Sequence, residues 1–383
     1  MPRNSLFELP KKRKDLVYVW PLCTRIIHWM IALSFTFSYL SAFHHQYFSF
    51  HIAFGYIFGL MLLFRLIWGF IGPDYGTFKE FILSFSELIL YFKEKMTNRW
   101  RKIHPGHNAA SSWFTLLVLS FGLIIVWSGL LLFGIQEGSG IFSFLNKEYF
   151  HYSVSLVFLH QLFSVLLLLS AFVHIAGVLV EQFYHRTNMA FAMLSGYKKS
   201  EGKDTAPLFW QHLLAYSSII LSILIFYWVV HSADTFLTRS VFTKHDYTYE
   251  NSSFSTHCSK CHKNYPPFIL PKASWEKLMD GLSNHFGEEI LEHNISKEEQ
   301  LSIKTYLTSH SAENSTHKLA YKSLISLQDM RPISATKSLY WRETHEHLKE
   351  AFKNPLVKDK SNCFACHRNF EYGLFDNTLI HLP

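Results

Sequence analysis

Cysteine is scarce in this chain: five among 383 residues. Four of them fall in two pentapeptides, Cys258-Ser-Lys-Cys261-His262 and Cys363-Phe-Ala-Cys366-His367, leaving only Cys23. That excludes a disulfide framework. It also argues against zinc, because a CxxC pair needs further ligands to close a tetrahedral site and no other cysteines are at hand. Charge is sparse as well: Asp, Glu, Lys and Arg make up 17% of the chain. The net +7 comes wholly from residues 1–232, with 18 Lys+Arg against 11 Asp+Glu, whereas residues 233–383 carry 18 of each. This excess does not signal nucleic acid. It flanks long apolar runs, where membrane orientation is decided. No cleavable secretory signal is expected, since the first apolar run is too long and lacks a small-residue cleavage site.

What the chain does have is CxxCH, twice. Two thiols three residues apart can form thioethers to the two vinyl groups of one porphyrin, and the next histidine binds the iron. The motif therefore predicts two covalently attached c-type haems, on Cys258, Cys261 and His262 and on Cys363, Cys366 and His367. In bacteria such attachment occurs on the outer side of the inner membrane. The 23 histidines and 36 phenylalanines suit a protein that wraps flat apolar porphyrins and ligates iron.

Five stretches can cross a bilayer as helices, residues 20–42, 51–72, 110–133, 154–183 and 208–232. The N-terminal segment (Lys11, Lys12, Arg13, Lys14), residues 73–108 and residues 185–207 hold nearly all the basic groups of this half. The intervening loops, 43–50 and 134–153, hold only Lys147. The positive-inside rule then puts the N-terminus in the cytoplasm and, after five crossings, residues 233–383 in the periplasm. Haem attachment demands the same side. Residues 76–97 read as a helix lying along the membrane surface. Residues 233–256 read as a polar linker, with short helices and loops beyond.

His28, His51, His160 and His174 lie within or at the rim of the spans. Ionisable groups at membrane depth are functional by default. His160 and His174 are 14 residues apart, so they share a helix face and lie about 21 Å apart along the axis. By level, His28 pairs with His174 and His51 with His160, giving two bis-histidine b-type haems stacked through a four-helix bundle. Gly55 and Gly59, one and two turns after His51, are read as leaving space for a porphyrin. Arg65 has two open readings, a haem propionate partner or an arginine snorkelling to the interface. His107 is similarly open. His44, His45, His104, His151, His185 and His231 read as interfacial.

Residues 17–199 resemble the bacterial di-haem cytochrome b family, which includes the membrane cytochrome subunits of nickel–iron hydrogenases. The matching text is Val19-Trp20 with Thr24-Arg25 and His28-Trp29, then His51 to Tyr56, Phe64-Arg65-Leu66-Ile67-Trp68-Gly69, Gly106-His107-Asn108, and His174 to Gly177 leading to His185-Arg186-Thr187-Asn188. The resemblance implies quinone-linked transmembrane electron transfer and the same four histidine ligands. Residues 257–383 resemble the small di-haem cytochrome c family, through Tyr265-Pro266-Pro267, Leu270-Pro271, Ser274-Trp275, Leu278 to Leu282, His285-Phe286-Gly287, Trp341-Arg342 to His345, and Gly373 to Asp376 around the two motifs. This resemblance implies bis-histidine ligation with His285 and His345 as distal ligands. His257, His293, His310, His347 and His381 compete, His347 most closely.

The expected architecture is all-α: a transmembrane four-helix haem bundle over 1–199, a fifth connecting span over 200–232, a linker over 233–256 and a small, mainly helical periplasmic c-type cytochrome domain over 257–383. The expected function is electron transfer at the bacterial inner membrane between the quinone pool and a soluble periplasmic redox protein. Two b and two c haems carry it, and quinol is the donor. No acid–base group for quinol deprotonation is assignable. Two other readings stay open. One is an anchor that docks a hydrogenase or dehydrogenase subunit and passes electrons inward to quinone. The other is a c-haem reductase with an open iron.

Overall fold

The structure, a computed structural model, describes residues 16–97, 105–184, 188–232, 234–287, 295–327, 333–375 and 380–383. Lys11, Lys12, Arg13, Lys14, His104, His185, Arg186, Thr187, His293 and Asp376 lie outside the described residues, as does the side chain of His45. The chain divides into two compact units. One comprises residues 1–43, 50–129 and 157–231; the other comprises 44–49, 130–156 and 232–383.

The first unit is built from long helices: α1 (Leu22–Ser41), α2 (Phe48–Ile71), α3 (Phe85–Met96), α4 (Ala109–Ile135), α5 (Ser153–Leu179) and α6 (Phe209–His231). α5 runs on through a π-helical turn, Val180–Tyr184. Among the described residues, four helical stretches are long and apolar enough to cross a membrane, Phe48–Ile71, Ala109–Ile135, Ser143–Tyr184 and Phe209–His231. α1 was expected as a fifth. It has the length, 20 residues, but Arg25, His28 and several hydroxyls make it less apolar. Those hydroxyls are satisfied inside the helix: Ser34 donates to the Met30 carbonyl (2.6 Å), Thr36 to Ala32 (2.8 Å) and Ser41 to Phe37 (2.7 Å). In lipid, where no water replaces a missing partner, such back-bonding lets a helix carry hydroxyls.

Phe58 and Leu62 of α2, Leu119 and Ile125 of α4 and Leu167 of α5 form the bundle core, with Ile31 and Phe35 of α1 against it. α6 packs on α1 and α2. Cys23, Ile27, Trp68 and Ala215 form one cluster, and Ser218 and Ser222 are buried. Small residues on one face let helices approach closely where no water drives them together. Within 76–97 a helix is present as α3, capped by Ser84, which accepts from the Glu87 amide.

A small sheet departs from the all-α expectation. β1 (Leu16–Tyr18) pairs antiparallel with β2 (Tyr197–Lys199), Val17 opposite Lys198. The molecule remains mostly helical.

The second unit holds α7 (Ser252–Cys258), α8 (Lys272–Asp280), α9 (Lys297–Ser309), α10 (Lys318–Ser326) and α11 (Leu339–His345). Its core gathers Trp275, Met279, Ile303, Leu307 and Phe370, with Cys258 and Cys363 packed against it. Tyr247 and Phe254, from the stretch read as a polar linker, belong to the same core. The linker is therefore shorter than its polarity suggested. Two large aromatic side chains find cover in the core even though their neighbours are polar.

Candidate functional site

Among the described residues four pairs of imidazoles lie at nearly one separation; three contain a histidine of a membrane span or of a CxxCH, and the fourth, His44 with His347 (6.2 Å), contains neither. His28 on α1 and His174 on α5 have ring centroids 6.3 Å apart. His51 on α2 and His160 on α5 are 6.2 Å apart. In the second unit His345 on α11 and His367 of the second CxxCH are also 6.2 Å apart. Two imidazoles bonding one metal at about 2.0–2.1 Å each place their centroids roughly 6 Å apart. The residues present therefore fit an iron held between each of these three pairs.

The proton positions agree with that use. His51 Nδ1 donates to the Ser38 carbonyl (2.9 Å) and His160 Nδ1 to the Ile125 carbonyl (3.1 Å), with Ser128 Oγ also 3.0 Å from it. His345 Nδ1 donates to the Trp341 carbonyl (2.8 Å), and His262 Nδ1 to the Lys263 carbonyl (2.8 Å). A carbonyl can only accept, so each ring carries its proton on Nδ1 and keeps the Nε2 lone pair for a metal. Burial holds His345 below the usual histidine range. Burial, and then the neighbouring His345, push His367 down to about 4. Both are neutral at pH 7, the state a metal requires.

Two of these sites have aromatic walls. His174 stacks on Phe114 (4.9 Å) and His28 meets Trp29 edge-on (5.5 Å). Trp341 stacks on His345 and Phe375 on His367, both at 4.6 Å. Tyr265 joins the two motifs: its ring lies 5.0 Å from His262 and 5.5 Å from Phe364, and its hydroxyl donates to the Ser361 carbonyl (2.8 Å). Lys263 and Glu371 add an ion pair between the same two regions. Burial pushes the Cys258 and Cys363 thiols up to about 12.

His285 sits in the turn Leu282–Gly287, its ring against Phe286 (4.9 Å). Asn284 Oδ1 accepts from the Gly287 amide (3.0 Å). The pairing of His285 with His262 rests on the sequence alone. Two rivals have other neighbours. His347 lies 6.2 Å from His44 and His257 meets Glu299 (3.1 Å), whereas His310 and His381 carry the same Nδ1-to-carbonyl bond as the candidate ligands, to Tyr306 and Leu382, which does not set them apart.

One glycine reading changes. A Cβ on Gly59 would come within 2.9 Å of Val126, so this glycine serves the approach of α2 to α4; one on Gly55 would meet Ser38 Oγ at 3.8 Å. The glycine that makes room at a candidate ligand is Gly129, where a Cβ would lie 3.0 Å from His160 Cε1. Nothing in the local sequence singles it out, because the crowding partner comes from another helix. Arg65 turns toward the loop after α2. It donates to the Gly76 carbonyl (3.4 Å) and lies over the Phe78 ring, 5.2 Å from its centroid. Arg65 is also close enough to His28 to act on it electrostatically. His107 packs between Phe81 (4.7 Å) and Trp20 (5.2 Å).

Against known proteins, residues 19–196 match the prokaryotic cytochrome b561 family and residues 254–375 the dihaem cytochrome c family. Both CxxCH motifs fall in the second match. The chain is a cytochrome b561 domain followed by a dihaem cytochrome c domain. Among solved structures, the cytochrome c part is similar to a diheme cytochrome c from Rhodobacter sphaeroides. Identity is 31%, covering 32% of this chain and 95% of that one, with a TM-score of 0.28. It is also similar to a diheme cytochrome c from Shewanella baltica OS155. Here identity is 24%, covering 35% and 94%, with a TM-score of 0.28. No curated protein matches. This b561–dihaem c fusion is thus a haem-binding, multi-pass membrane protein of electron transport.

Proposed function

We propose that this protein oxidises quinol at the bacterial inner membrane and delivers the electrons to a soluble periplasmic redox protein. Two b-type and two c-type haems serve as carriers. The observation that carries the reading is that the four histidines of the membrane spans pair among themselves at a separation that suits one metal, 6.2–6.3 Å, and that the second CxxCH histidine has such a partner in His345. His28 with His174 and His51 with His160 hold the b haems. His367 with His345 and His262 with His285 hold the c haems, which Cys258, Cys261, Cys363 and Cys366 attach covalently.

Bound haem supplies a one-electron carrier; the rest is the work of the chain. Carbonyls of α1 and α4 hold the Nδ1 protons of His51 and His160, which fixes ring orientation and raises ligand basicity. Phe114, Trp341 and Phe375 exclude water from the ligands. Imidazoles on both sides of an iron, without methionine, favour a low potential. Arg65 supplies a fixed positive charge near His28, suited to a propionate. α1 crosses the membrane with the other four spans. At about 30 Å it is long enough, and Leu33, Phe37 and Leu40 give it an apolar outer face. Five crossings and the basic N-terminal segment and long loops put the N-terminus in the cytoplasm and the c-type part in the periplasm.

The test is quinol reduction of the purified full chain, followed in the α-bands after a pyridine haemochrome count. Two b and two c haems, all reduced by a water-soluble quinol, is the expected result. Inert haems, or reduction only with a co-purifying dehydrogenase or hydrogenase subunit, would overturn it.

A further inference from the structure

The segment between α4 and α5 is bonded far more closely than a plain connection requires. Residues 130–156 belong to the same compact unit as the dihaem c part, and α10 with the residues before it meets them group by group. Lys318 Nζ donates to Glu137 Oε1, with both side chains largely buried. Burial by itself pulls the Lys318 ammonium down, but Glu137 and Tyr340 together outweigh it and leave the net shift upward. Asn146 is 2% exposed. Its Nδ2 donates to the Ile135 carbonyl (2.8 Å), and its Oδ1 accepts from the Thr316 hydroxyl (2.5 Å). Phe150 meets Tyr321 edge-on at 5.5 Å.

A second strip runs alongside. The Gly140 amide donates to the Arg239 carbonyl (2.9 Å), and the Val241 amide to that of Gly138 (2.8 Å). Gly138 has φ +61°, and a Cβ there would come within 2.5 Å of the Phe242 ring. Phe242 in turn stacks on His317 (3.6 Å), which stacks on Phe268 (4.2 Å). At another edge His44 lies against His347.

A domain that swung on its connection would expose these groups to water in part of its range. Buried ions and amides tolerate that poorly, because a charge or amide without its partner is costly in a low-dielectric setting. We propose that the loop 134–153 is a docking platform on which the dihaem c part is fixed in the working protein. Electrons then pass to the c part without that part moving about residues 232–246. Only this last consequence rests on the electron-transfer reading; the docking does not.

The double variant Asn146→Cys with Thr316→Cys, in the full haem-loaded chain, tests it. The motif cysteines are then held in thioethers and Cys23 is buried, so the new pair is the reactive one. Oxidation should cross-link nearly all the protein, and quinol should reduce the c haems as fast in the cross-linked form as in the same variant alkylated beforehand. Failure to cross-link, or a slower rate only in the cross-linked form, would overturn the proposal. Should the cysteines impair folding, charge reversal gives a second measure. Glu137→Lys or Lys318→Glu alone should speed protease nicking within residues 232–246, and the two together should restore protection. Nicking unchanged by either single reversal would also overturn it. If quinol reduces no form, wild type included, the electron-transfer reading fails while cross-linking and nicking still decide the docking.

Discussion

At the residue scale, the recurring device is a backbone carbonyl that takes the Nδ1 proton of a candidate ligand. It recurs at His51, His160, His262 and His345, on carbonyls from quite different elements. His160 is the most constrained of these, gripped by the Ile125 carbonyl and backed by Gly129. Replacing His160 by Ala should remove one b haem and leave the covalent c haem intact, read as one b and two c per chain by pyridine haemochrome. Retention of both b haems would refute its pairing with His51. Gly129→Val should lower b-haem content in the same direction. Its side chain would occupy space that the His160 ring now fills, and the ring cannot retreat without losing its carbonyl.

At the element scale, α9 offers the cleanest test of stability. Ser296 and Glu299 form a reciprocal capping box at its start. Ser296→Ala should cost about 1 kcal/mol, seen as a lower denaturation midpoint of the c-type part. Hydrogen bonds from the Ser296 backbone, from His257 and from the Ser296 hydroxyl hold Glu299 down at about 2. Its folded pKa is depressed, so its contribution is present above the ordinary carboxylate value and is lost as pH falls from there toward 2. Glu299→Gln should flatten that part of the stability–pH curve; an unchanged acid limb would count against the box.

Elements also mark how far the sequence could be read. The long helices were legible because an apolar run of bilayer length has few other uses. The histidine levels were legible because 14 residues return a side chain to nearly the same helix face. β1 and β2 were not, being three residues each with partners some 180 positions apart. The Lys318–Glu137 pair was hidden for the same reason, with 181 positions between them. Gly55 and Gly59 were correctly placed on a face, but spacing within one helix cannot say which neighbour arrives there.

At the scale of the whole molecule, the bis-histidine ligation proposed for all four irons makes a simple spectral demand. Carbon monoxide should leave the reduced spectrum of the native protein unchanged, whereas a shift would reveal an open iron and favour a c-haem reductase. The c-type part also closes late. Tyr265 bonds Ser361, 96 positions on, Lys263 pairs with Glu371, and the nearly inaccessible Phe370 completes the core. The first CxxCH and the Tyr265 beside it are therefore made well before the segment that Tyr265 bonds to, 96 positions further on. Contacts this distant in sequence form slowly. The two motif regions therefore come together late, and even then Cys261 stays exposed.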